Sequence, residues 1–148
     1  MKNITLNIKN KIYTNVFIPK KKKIQKWIKK ILNKKFEITI CIVDIQKIQE
    51  INFMYRKKYQ PTNILSFLYQ KKYKNHFLLG ELVICEQIIT DEAYLQKKSI
   101  EAHWAHIIIH GTLHLIGYHH KNKKQNNIMQ KIEINIMKQL GYNNPYKN

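Results

Sequence analysis

HGTLHLIGYHH, His110 to His120, carries histidines at the spacing that one metal ion demands, and the rest of the chain is read around it. On a helix His110 and His114 share a face, with Cβ atoms about 5 to 6 Å apart. Gly117 then ends the helix in the manner of a C-terminal glycine. The chain swings back so that His120, or His119 in its place, arrives as a third ligand. Three neutral imidazoles leave the fourth tetrahedral position open, the arrangement of a catalytic zinc site and not of a closed structural one. Histidines that merely line a buried helix face are the plainer alternative. Two in register fit that alternative, but three with a glycine at the bend favour the metal.

Outward from this segment, Ser99 is a suitable N-cap for a helix running to Ile116, preceded by a helix from about Asp91 to Lys97. A last helix, roughly Asn126 to Leu140, stops at Gly141. Upstream, Ile4, Leu6 and Ile8 alternate with polar residues as a strand with one buried face does. Residues 20 to 33 place Ile24, Trp27, Ile28, Ile31 and Leu32 at helical spacing beneath a coat of lysines. Such a helix more often packs on a sheet than binds a membrane or RNA. FEITICIVD, from Phe36, alternates as a second strand, and 45 to 57 reads as a helix on Ile45, Ile48 and Tyr55. Pro61 stops continuation before the short strand NILSF. A lysine-rich loop follows near Lys71 to Asn75, with His76 exposed, and ELVICEQI has the apolar character of a buried strand. Strands come early and helices late, which predicts an α+β fold. The whole of residues 1–148 reads as one domain of ordinary size.

The motif H-x3-H-x2-G-x2-H has the spacing of metzincin proteases, but those carry a glutamate directly after the first histidine as general base. Here that position is Gly111, and no carboxylate stands between Glu101 and Glu133. A zinc peptidase is therefore the alternative and not the leading reading.

EAHWAHIIIHGTLHLIGYHH, Glu101 to His120, resembles the signature H-G-x-L-H-L-x-G-Y-D-H of the YbeY family of rRNA maturation endoribonucleases. INFMYRKKYQPTNILSF, Ile51 to Phe67, is similar to that family's L-N-x-x-Y-R-x-K-D-x-P-T-D-V-L-S-F. LGELVIC, Leu79 to Cys85, is similar to its L-G-D-I-V-I-C strand. The likeness runs from about residue 36 to 120. It implies a mixed four-stranded sheet with helices packed on it, the central helix carrying the metal-binding histidines His110, His114 and, at the family's third histidine, His120. It also implies a zinc-dependent, single-strand-specific endoribonuclease acting on the 3′ end of 16S rRNA and in ribosome quality control, with single-stranded RNA and the small ribosomal subunit as partners and no role on DNA. The chain has Asn63 and His119 where the family has aspartates, and Glu81 for a third. The first two changes remove acidity near the expected site, so a ribosome assembly factor with weakened nuclease chemistry is a further alternative.

Arg56 is the only arginine in a chain whose other basic residues, histidine aside, are all lysine. A guanidinium offers a planar bidentate fork that suits a phosphate and that an ammonium cannot reproduce. The resemblance places Arg56 at the family's arginine near the metal, so Arg56 and His114 are the expected catalytic residues. Zinc held by three histidines lowers the pKa of its water to about 7, although imidazole ligands also suit nickel, copper and iron. Either that water or the RNA 2′-OH could then attack the phosphodiester, and the sequence leaves both open. His106 falls on the side of the ligands, where it could orient one of them or be an ordinary core histidine. Ser66 and Thr62 have no base nearby and are expected to shape a loop or touch phosphate. Tyr59, Phe67 and Tyr69 are candidates for stacking on unpaired bases, with Phe67 the better fit to a core.

A formal charge of +18 attracts polyanions strongly, even if a bias toward Lys, Ile and Asn codons explains part of it. Cys41 and Cys85 sit in apolar runs, form no C-x-x-C pair and read as small buried hydrophobes in a reducing compartment. With no signal-peptide core and no apolar stretch long enough to span a bilayer, the expected location is the cytoplasm.

Overall fold

The structure, a computed structural model, describes residues 4–12, 16–33, 35–72 and 77–147. Its elements are β1 (Ile4–Asn10), α1 (Lys21–Lys29), β2 (Lys35–Val43), α2 (Ile45–Arg56), β3 (Ile64–Lys72), β4 (Phe77–Cys85), α3 (Glu86–Leu95), α4 (Ile100–Leu115) and α5 (Lys123–Gln139). The strands form one four-stranded sheet in the order β1-β2-β4-β3. β1 with β2 and β2 with β4 are parallel, whereas β3 and β4 are antiparallel neighbours. This is the expected α+β architecture with a mixed sheet.

Alternation along the strands decides which face meets which helices. Leu6 lies opposite Ile38, and Ile38 opposite Gly80, so one face collects Leu6, Phe36, Ile38, Ile40, Ile42, Leu82 and Ile84. That face joins the main core with Ile24, Trp27 and Ile28 of α1, Ile89 of α3, the apolar residues of α4, and Met129 and Met137 of α5. The opposite face holds a smaller cluster of Val43, Ile48, Leu65, Val83 and Cys85, covered by α2. α4 is buried nearly all round, with His103 through Ile109 and then Gly111, Thr112, Leu113 and Leu115 buried, as a helix with apolar residues on every side must be.

Helix starts follow local chemistry. Asp44, Ser99 and Asn122 cap α2, α4 and α5, their side-chain oxygens accepting from Lys47, Ala102 and Gln125 N–H groups, each worth about 1 kcal/mol. The Ser99 cap is as expected. Other boundaries differ. ELVICEQI does not continue as a strand: β4 ends at Cys85 and α3 takes over at Glu86, five residues before the expected start, its buried residues Glu86, Ile89 and Ala93 following at helical steps of three and four. α5 begins at Lys123, where its cap allows, and α1 is shorter than residues 20 to 33, ending at Lys29. β3 extends past NILSF to Lys72 because pairing with β4 carries it on. Of the lysine-rich loop, 73 to 75 and also His76 lie outside the described residues. Cys85 is buried as expected; Cys41 is only half-buried, since it lies on the face that α2 covers incompletely. No helix among the described residues is long and apolar enough to cross a membrane.

Candidate metal centre

The close approach of α4 to β3 is made at a glycine. A Cβ on Gly111 would collide with Ile64 Cδ1 and press on Ser66 Oγ at 3.1 Å and Leu82 Cδ2 at 3.2 Å. Ser66 Oγ donates to the Gly111 carbonyl at 2.9 Å, tying strand to helix at the same point. Ser66, expected to shape a loop or touch phosphate, instead joins β3 to α4. The close approach also argues against a glutamate base at this position: residue 111 faces the sheet, where even a Cβ requires Ile64 to move aside.

With Gly111 against the sheet, His110 and His114 turn to the mouth of a cleft of about 630 Å³, lined also by Arg56, Asn63, His120 and Lys121. Gly117, at φ +103°, takes the left-handed conformation and turns the chain after α4. The Tyr118 N–H closes that turn on the Leu113 carbonyl at 3.1 Å. The turn brings His120 back over the helix, its ring centroid 5.3 Å from that of His110 and 4.9 Å from that of His114. One ligand nitrogen from each of His110, His114 and His120 lies within 4.8 Å of the others, and this is the group of that kind among the described residues; His119 lines the cleft but is not in it.

Hydrogen bonds decide which nitrogens face the cleft. His110 Nδ1 meets the Glu133 carboxylate at 2.9 Å, and His114 Nδ1 meets the Tyr118 carbonyl at 2.9 Å. Both partners only accept, so each Nδ1 carries the hydrogen and donates it. Each Nε2 of the neutral ring is then a lone pair, yet the two Nε2 atoms stand 3.1 Å apart. Two lone pairs so close repel unless a proton or a metal cation lies between them. Ligands about 2.0 to 2.1 Å from a tetrahedral zinc stand about 3.3 Å from each other, so the donor set fits such an ion. Burial, with His110 and His120 adjacent, lowers the His114 pKa to about 4, keeping that ring unprotonated and ready to ligate.

Glu133 was not identified from the sequence, which shows it only as the next carboxylate after Glu101. It is fully buried on α5 and bridges two histidines, accepting from His106 Nε2 and His110 Nδ1, each at 2.9 Å, and from the Tyr146 hydroxyl. Burial alone would raise its pKa, but the bonds from His106 and His110 outweigh that and hold it at about 2. The signal was present: Met129, Glu133, Ile136 and Met137 form one buried stripe of α5, and an acid within an apolar stripe needs a partner. His106 therefore shares a carboxylate with His110 and stands edge to face with its ring, centroids 6.4 Å apart. A parallel chain runs from His103 Nε2 to Glu92 at 2.9 Å and from Asn63 Nδ2 to Glu92 at 3.1 Å. Carboxylates thus stand behind the cleft although Asn63 and His119 carry none.

Arg56 is the last residue of α2, and Lys57, at φ 60°, turns the chain immediately after it. Asn52 Nδ2 donates to the Gln60 carbonyl at 2.9 Å and holds the following loop, so that Thr62 and Asn63 line the same cleft as Arg56. Residues distant in sequence thereby meet: the end of α2, the start of β3, one face of α4 and the bend after it.

Residues 7–141 match the family described as Endoribonuclease YbeY. The chain is 53% identical to an endoribonuclease YbeY of Buchnera aphidicola subsp. Acyrthosiphon pisum over 99% of this chain and 97% of that one. It is 50% identical to the one of Buchnera aphidicola subsp. Schizaphis graminum, over 97% and 94%. The solution structure of TM1509 from Thermotoga maritima superposes with a TM-score of 0.54 at 21% identity, covering 98% of this chain and 99% of that one, a likeness of fold.

Proposed function

The chain belongs to the YbeY endoribonuclease family, and from that premise we propose that it is a zinc-dependent, single-strand-specific endoribonuclease, one domain over residues 1–148, working in the cytoplasm. Its substrate in this reading is the 3′ end of 16S rRNA on the small ribosomal subunit, with a part in ribosome quality control. The observation that carries the metal chemistry is the 3.1 Å approach of two Nε2 atoms whose rings both spend their hydrogens elsewhere.

His110, His114 and His120 hold the ion, which when bound supplies Lewis-acid charge and acidifies water. The protein's own groups supply the rest. Glu133 and the Tyr118 carbonyl keep the Nδ1 hydrogens of His110 and His114 in place, so that both Nε2 atoms stay available as ligands. Arg56, across the cleft, presents its fork to the non-bridging oxygens of the phosphodiester and stabilises charge that grows on them. Lys121, on the same cleft, adds positive charge toward the flanking phosphate.

A short single-stranded RNA incubated with the purified protein, with and without a chelator, tests the reading. Chelator-sensitive cutting supports it. Cutting of casein in place of RNA would favour a peptidase, and tight ribosome binding without cutting an assembly factor. Replacing the 2′-OH at the cut by hydrogen separates the two nucleophiles, since retained cleavage excludes attack by the 2′-OH.

A further inference from the structure

Tyr55 and Phe67, their rings edge to face with centroids 5.0 Å apart, line the metal cleft and also a second cleft of about 570 Å³. This second cleft lies on the sheet face that α2 covers incompletely. Met54, Tyr55 and Tyr69 all line it while 63%, 65% and 61% exposed. Large apolar side chains gathered on one groove, and not scattered singly, mark a surface that meets something.

The two clefts differ in charge. The first carries Arg56, Lys121 and the histidines. In the second, Lys11 and Lys47 balance Asp44 and Glu81, and both acids are engaged: Asp44 caps α2, and Glu81 accepts from the Tyr69 hydroxyl at 2.6 Å. A groove neutral in sum and walled by aromatic rings and a thioether does not select a phosphate. It suits a flat group with an apolar face and hydrogen-bonding edges, which is a nucleobase.

We propose that the second cleft is a base-stacking subsite of the nuclease. RNA whose scissile phosphate lies at Arg56 runs over the Tyr55–Phe67 pair and seats a neighbouring unpaired base against Tyr55, Met54 and Tyr69. The proposal rests on the endoribonuclease reading and gives it a physical ground for single-strand preference, because a base held in a duplex cannot leave its stack to reach these rings.

The test is steady-state cleavage of a metal-loaded wild type, Tyr55→Ala and Tyr55→Phe on a hexaribonucleotide and on versions with one abasic position each. Tyr55→Ala is expected to raise KM about 10-fold, in keeping with stacking on one ring, while Tyr55→Phe stays near wild type. One abasic position should raise the wild-type KM by a similar factor and add little in Tyr55→Ala. Tyr69→Ala provides a second variant with the same expected direction should the first fold poorly. An unchanged KM in both alanine variants, or equal abasic penalties in wild type and variant at every position, overturns the subsite while the nuclease stands. A wild type that cuts no RNA overturns both. If Tyr55→Ala instead dissolves a dimer seen by sedimentation with KM unchanged, the groove belongs to a second copy and the proposal fails.

Discussion

Glu133 has two oxygens and spends both on histidine, one of them shared with the Tyr146 hydroxyl. Glu133→Gln keeps the shape but turns half of the group into a donor facing His106 or His110. Zinc affinity measured by chelator competition should fall about 10- to 100-fold, and Tyr146→Phe should lower it less. Unchanged affinity in Glu133→Gln would remove the carboxylate from ligand orientation. Arg56→Lys keeps the charge and loses the fork, so kcat on RNA should drop far more than affinity; equal kcat would take Arg56 out of the reaction. The histidines also make a prediction about pH. His114, and in the same direction His106, titrates lower when folded than in the unfolded chain, in both cases because of burial first. Between the ordinary histidine value of 6.5 and the folded value of about 4 for His114, the unfolded state binds protons that the folded state does not, so stability falls as pH falls. Glu133 acts at lower pH: its stabilisation is complete above 4.5 and is lost as pH falls toward about 2. Thermal midpoints of the metal-free protein should therefore decline from pH 6.5 to 4.5, and less steeply in His114→Asn.

At the level of elements, the site depends on how closely α4 lies on β3 and β4. Gly111→Ala forces Ile64 aside and crowds Ser66 and Leu82, at a cost of about 1 to 3 kcal/mol typical of overpacking. The loss would be read from a denaturant midpoint, and metal affinity should weaken with it because His110 and His114 ride on the displaced helix. A variant as stable as wild type would show that the interface has slack. The Ser99 cap is legible in the sequence as a side chain able to accept from the first turn; Asp44 and Asn122 cap α2 and α5 in the same way without being singled out there, the last of them four residues before the expected start at Asn126. The start of α3 is not legible. Cys85 offers no capping side-chain bond, and the apolar residues on either side of Glu86 and Gln87 suit strand and helix equally.

Across the whole molecule, charge and shape divide the work. A formal charge of +18 attracts RNA, so RNA affinity should fall steeply with salt, linearly in a plot of log affinity against log salt. A flat response would show that contacts between cationic side chains and phosphates carry little of the binding. The clefts add what charge cannot, a cationic mouth at the histidines beside a neutral aromatic groove. The pair exists because α2 covers one end of the second sheet face and leaves the remainder open.

Periodicity and motif spacing carry the α+β class, the turn at Gly117 and the metal-site pair His110 and His114, because each depends on neighbours within one or two helical turns or on strand alternation. The third ligand, His120 and not His119, comes from the family resemblance. Glu133 behind His110, Glu92 beside Asn63, and Tyr55 shared between two clefts depend on contacts between residues far apart along the chain. No local rule encodes such distances. They were decided when the main core closed around α4, bringing α5 and β3 to it, and when α2 packed on the other face of the same sheet.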